Sequence, residues 1–144
     1  MMRDQIIAAA RSHIDKPFRH QGRAAQDVLD CAGLVVAVAD AIGADYLDQQ
    51  GYSSHPSSGL LESALDAQPC LVRVPLSEIQ PGDVLLMKFA SDPQHLAIYI
   101  GFSHIYQDHG IVHAYAQARK VCEHRLTDEW RARIVRVYRF QVAA

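Results

Sequence analysis

The sequence predicts an α+β domain. Helical periodicity dominates the first part of the chain, and short segments of alternating apolar residues fill the second. The 144 residues are 49% hydrophobic and 21% charged, which suits one ordinary soluble domain spanning residues 1–144 with a single core.

Arg3 to Ile14 reads as an amphipathic first helix that Pro17 closes. Cys31 to Ile42 reads as the second, because Leu34, Val35, Val38 and Ile42 recur on one helical face. Asp30 is placed to cap it and Gly43 to stop it. Asp45 to Ser58 is polar and contains Gly, Ser and Pro, so it reads as a loop of the kind that flanks active sites. Gly59 to Ala67 is a third helix through Leu60, Leu61, Ala64 and Leu65, with Ser57 or Ser58 as its cap. Cys70 follows Pro69 at a strand start, and Pro75 to Asp83 is a turn-rich entry to the next strand. The strands expected after it are Val84–Phe89, His95–Gly101, Ile111–Tyr115, Ala118–His124 and Ile134–Val142.

The second helix carries the chemistry. Cys31 stands in its first turn, among unpaired N–H groups that favour a thiolate over a thiol. The backbone N–H of Cys31 could also stabilise an oxyanion there. A thiol nucleophile needs a base, and the base needs an orienter. His95 and His113 lie in two strand-like segments joined by a polar stretch, Ser103 to Gly110. If those strands pair around a turn near His104, the two histidines stand nearly opposite, with Cβ atoms about 5 Å apart. One can then face Cys31 while the other fixes its tautomer. Cys70 and Cys122 read as small buried hydrophobes. His13, His55, His104, His109 and His124 read as solvated. The Arg131 to Arg139 segment reads as a half-buried strand with a charged outer face.

At five places in order the chain resembles the NlpC family of papain-like cell-wall peptidases, most closely the branch encoded by phages and prophages. They are Lys16-Pro17-Phe18-Arg19-His20-Gln21-Gly22, Asp30-Cys31-Ala32-Gly33-Leu34-Val35, Pro81-Gly82-Asp83-Val84-Leu85-Leu86, His95-Leu96-Ala97-Ile98-Tyr99-Ile100-Gly101 and Ile111-Val112-His113-Ala114. The end from Glu129 to Phe140 resembles the closing helix turn and strand of the phage branch. The resemblance implies helices packed on an antiparallel sheet of five or six strands. It implies Cys31 as nucleophile, His95 as general base and His113 as orienter. Phe18, His20 and Asp30 are the candidate substrate-binding residues, with a plain loop role as the competing reading of His20. The implied substrate is the stem peptide of peptidoglycan, cut between D-glutamate and diaminopimelate or lysine. Trp130 reads as a core anchor in preference to a ring that contacts the cell wall. Three departures stand out: Phe18 where many members have Tyr, Ala32 where Ser is common, and a long connection from His95 to His113.

Composition excludes other classes. A net charge of −2 with mixed signs argues against a nucleic-acid partner. Three cysteines give no disulfide framework. The short apolar run near the N-terminus, followed by Arg11, does not read as a signal peptide. No segment approaches the roughly 20 apolar residues of a membrane span. No cofactor is expected. These features suggest a protein made in the bacterial cytoplasm that reaches the wall in a phage tail, with tail-tip or baseplate proteins as partners. The alternative is a tail or baseplate structural component with a vestigial or assembly-dependent site. A zinc site of Cys31, His95 and His113 ranks lower, because no close C-x-x-C or H-x-x-x-H pair is present. Acyl transfer on the same fold would need an apolar groove.

Overall fold

A computed structural model describes residues 2–48, 52, 59–90 and 92–142. Among these it contains four α-helices and six β-strands, the α+β architecture that the residue patterns predict. The helices are α1 (Met2–Arg11), α2 (Cys31–Ala41), α3 (Leu60–Asp66) and α4 (Asp128–Arg131). The strands are β1 (Leu71–Val74), β2 (Val84–Lys88), β3 (Pro93–Ser103), β4 (Asp108–Tyr115), β5 (Lys120–Arg125) and β6 (Ile134–Phe140). They form one antiparallel sheet in the order β1-β6-β2-β3-β4-β5.

The strand period of two divides the sheet residues between two cores. One face carries Leu86, Leu96, Ile98, Val112 and Ala114, which pack with Ile6 and Ala10 of α1 and with Leu34, Val35 and Val38 of α2. The other carries Leu85, Met87, Ala97, Tyr99, Ile111 and Val137, covered by Leu126 and the partly buried Trp130. Burying these side chains is the main stabilising term, at about 25 cal/mol per Å² of apolar surface.

The element boundaries differ from expectation in informative ways. The first helix ends at Arg11, before a turn over residues 12–15, and not at Ile14. The expected caps Ser57 and Ser58, and most of the 45–58 loop, fall outside the described residues. The β3–β4 hairpin runs further than expected, so the connection shortens from Ser103–Gly110 to residues 104–107. A bulge between Tyr99 and Gly101 shifts its register. Gly101 has φ +74°, and a Cβ there would lie 2.7 Å from the Pro81 ring, so only glycine fits.

Candidate active site

The first turn of α2 is built as the sequence suggests. Asp30 caps it, its Oδ1 accepting from the Gly33 N–H at 2.7 Å. The helix start approaches the loop before it closely: a Cβ on Gly33 would lie 2.1 Å from the Gly22 carbonyl oxygen. Asp30 also accepts from the Gln21 N–H at 2.9 Å, from Arg23 Nη1 at 3.3 Å and from the Tyr52 hydroxyl. Its oxygens are therefore engaged within the protein, and the residue is 4% exposed. Asp30 lines the cleft, and these donors tie it to the loop before α2.

Cys31 and His95 line one cleft of about 940 Å³. Phe18 and His20 line it too, and His20 Nε2 donates to the Tyr52 carbonyl at 2.9 Å. The Cys31 thiol differs from expectation. Burial, reinforced by the Asp30 charge, pushes it up to about 12, against the backbone N–H groups of Leu96, Ala32 and Cys31 that favour the thiolate. Helix-start chemistry is present, and desolvation outweighs it.

His95 stands at one end of a chain of three imidazoles. His95 Nε2 meets His113 Nδ1 at 2.6 Å, and His113 Nε2 meets His124 Nε2 at 2.7 Å. His124 Nδ1 lies 2.8 Å from the Arg125 carbonyl oxygen. That carbonyl can only accept, so His124 carries its proton on Nδ1. With neutral rings, His113 then donates from Nε2, and His95 donates from its own Nε2 to His113 Nδ1. His95 Nδ1 is left as an unprotonated acceptor. One backbone carbonyl thus sets all three tautomers and leaves a base in the cleft that holds Cys31.

An aromatic box keeps His95 and His113 dry, and His124 stays partly exposed. Tyr115 stacks on His113 at 5.0 Å, Trp130 stands edge-on at 5.2 Å from His113 and tilted at 5.1 Å from His124, and Phe89 lies 5.3 Å from His95. Burial lowers the His95 and His113 pKa values far below the usual histidine range, and the neighbouring rings lower them further.

The structure brings Cys31, His95, Phe18, His20 and Asp30 to one cleft, and His113 to the far side of His95. His95 and His113 are not opposite each other. Continuing the register Ile98↔Val112 sets Tyr115 across from His95 and makes His113 its diagonal neighbour on the same face. Five side chains, Trp130 among them, depart from their sequence readings. His124 is not simply solvated but closes the imidazole chain. His109 receives or gives a 2.6 Å hydrogen bond with the Tyr99 hydroxyl, and His13 is partly buried. Cys122 is partly exposed and lies across from His113. His55 lies outside the described residues. Arg23 and Tyr52 were not singled out from the sequence, since only the fold brings them to Asp30. Trp130 is a half-buried wall of the site, not a deep core anchor.

The NlpC/P60 family model matches residues 15–139. The chain belongs to the NlpC/P60 family. No curated protein matches it. Among solved structures it is similar to an NlpC/P60 family protein from Bacillus cereus ATCC 10987, with TM-score 0.65 and 18% identity. That match covers 94% of this chain but 39% of the other, so this chain spans about two fifths of that protein. The NlpC/p60 domain of the peptidoglycan hydrolase SagA matches with TM-score 0.58 and 21% identity, over 94% of this chain and 96% of that one. An N-acetylmuramoyl-L-alanine amidase from Bacteroides uniformis ATCC 8492 matches with TM-score 0.61 and 13% identity, over 97% and 99%. At these identities the likeness is one of fold. No described helix is long and apolar enough to cross a membrane.

Proposed function

We propose that this NlpC/P60 domain is a cysteine hydrolase of peptidoglycan stem peptides, with Cys31 as nucleophile and His95 as general base. The observation that carries the reading is the imidazole chain ending on the Arg125 carbonyl, which leaves Nδ1 an acceptor on the His95 ring that lines the cleft of Cys31. His95 Nδ1 takes the thiol proton as Cys31 Sγ attacks the amide carbonyl. The oxyanion forms beside the Cys31 N–H at the start of α2. His95 returns the proton to the leaving amine, and water releases the acyl group. Burial raises the thiol and lowers the imidazole, which favours proton transfer in step with attack. His113 and His124 are positioning residues.

The preferred bond is that between D-glutamate and the diamino acid. The named activities of SagA and of the amidase support peptidoglycan as substrate class. The phage-branch resemblance of the Glu129–Phe140 end supports delivery in a phage tail to the wall, with tail-tip or baseplate proteins as partners. Digestion of diaminopimelate-type peptidoglycan by the wild type and by Cys31→Ala, read by mass spectrometry, tests the reading. New stem-peptide fragments from the wild type alone support it and name the bond. Free L-alanine termini would assign the amidase bond instead. No fragments from either protein under reducing conditions would overturn a free-standing hydrolase and favour a tail component.

A further inference from the structure

A second cluster of ligand-type side chains adjoins the base. His113, Cys122 and His124 each present one donor atom, and these atoms all lie within 4.8 Å of one another. The arrangement follows from β-sheet register. Cys122 pairs directly with His113 across β4 and β5, and His124 lies two residues on, so all three share one sheet face. We propose that His113 Nε2, His124 Nε2 and the Cys122 thiolate form a binding site for a zinc-type divalent cation, and that occupancy switches the hydrolase off.

The donor set favours this class of ion. Imidazole and thiolate suit zinc and its neighbours, and three protein ligands leave a fourth position for solvent. The remote nitrogens are already braced. His124 Nδ1 donates to the Arg125 carbonyl, and His113 Nδ1 is bonded to His95 Nε2, the outer contacts that orient metal-binding histidines. Ligands at about 2.0–2.3 Å from a tetrahedral ion stand roughly 3.3–3.7 Å apart. The two Nε2 atoms, now 2.7 Å apart, must therefore separate by about half an ångström, a small tilt for the partly exposed His124.

The inhibitory effect rests on the proposed roles of Cys31 and His95; the metal site does not. A cation on His113 Nε2 takes the lone pair where that ring now carries its proton. Neutral His113 must then hold its proton on Nδ1 and donate it to His95 Nε2. His95 in turn holds its proton on Nδ1, the atom that would accept from Cys31. The three rings keep three protons between them, and the only proton released is that of the Cys122 thiol. Binding at one end of the chain thereby blocks the base at the other.

The test begins with binding, in Cys31→Ala protein, so that it needs no activity and excludes the nucleophile as ligand. Titration with Co²⁺ is expected to give tetrahedral visible bands and a thiolate charge-transfer band, both displaced by Zn²⁺. Adding Cys122→Ser should remove the charge-transfer band and weaken affinity by at least about 10- to 100-fold, since even outer contacts of a metal site are worth that much. No band in Cys31→Ala, or a band that survives Cys122→Ser, overturns the site. In otherwise wild-type protein, Zn²⁺ should inhibit hydrolysis reversibly by chelator, and Cys122→Ser should hydrolyse normally but resist Zn²⁺. Equal inhibition of Cys122→Ser would overturn the switch and place the effect at Cys31.

Discussion

The two ends of the candidate active site are held in different ways. At the nucleophile end, Asp30 is tied in parallel: Gly33, Gln21, Arg23 and Tyr52 each donate to it. At the base end, His95, His113 and His124 are tied in series to a single carbonyl. A parallel network loses a fraction of its hold when one member goes. A series chain transmits any break to its end. The nucleophile end is therefore built for rigidity and the base end for control of proton position.

The largest effect should come from cutting the series chain. Replacing His113 with Ala leaves His95 without a partner on Nε2 and free to take the wrong tautomer. Hydrolysis should fall about 10⁴-fold, comparable to mis-setting the tautomer of a catalytic histidine. Replacing His124 with Ala removes a more distant link and should cost about 10- to 100-fold, the scale of outer-shell contacts. The double variant should be no worse than His113→Ala alone, because a chain cut twice is still a cut chain. Additive losses in kcat/KM would show that the two histidines act independently.

The next effect is on stability. His95 and His113 are buried neutral, with folded-state pKa values lowered by desolvation. Their unfolded values lie near 6.5. Above that pH neither state binds the extra protons, and the stability is fully present. Below it the unfolded chain binds protons that the folded chain excludes, so stability falls as pH drops. Each group contributes a slope of about 1.4 kcal/mol per pH unit, hence up to about 3 kcal/mol per unit for the pair below about pH 6. Urea unfolding at about pH 7 and about pH 5 measures it. A flat profile would mean that the aromatic box does not keep the rings dry.

The contrast also explains what was legible in the sequence. Asp30, Cys31 and the apolar face of α2 are local signals, and the helix begins at Cys31 as the cap predicts. The parity of β3 and β4 was legible, so His95 and His113 fall on one face. Their offset was not, because it depends on a four-residue turn and on the Gly101 bulge. His124 was hidden for the same reason. Its meeting with His113 depends on the three-residue 3-10 turn Ala116–Ala118 and on Arg119 at φ 62°. The alternation Cys122-x-His124 was the available signal, and it needed the β4–β5 register to be read. Tyr52 comes from a loop with no periodicity at all. Its hydroxyl reaches Asp30 in a cleft where Phe18 supplies only a ring.

The smallest effect should come from the parallel end. Tyr52→Phe deletes one donor to Asp30 and keeps the ring that packs edge-on against His20 at 5.4 Å. Asp30 Oδ2 still accepts from the Gln21 N–H, and the cap on Gly33 is untouched. The hydroxyl also accepts from Arg23 Nη1 at 3.0 Å, so two hydrogen bonds go, and the expected loss is about 1–2 kcal/mol of stability, since both partners keep other contacts. Hydrolysis should stay within a few-fold of wild type. Unfolding and kinetics measured on the same preparation check both. A loss of activity as large as that of His113→Ala would mean that the Tyr52 hydroxyl meets the substrate directly, and that the two ends of the site are less different than their hydrogen bonds suggest.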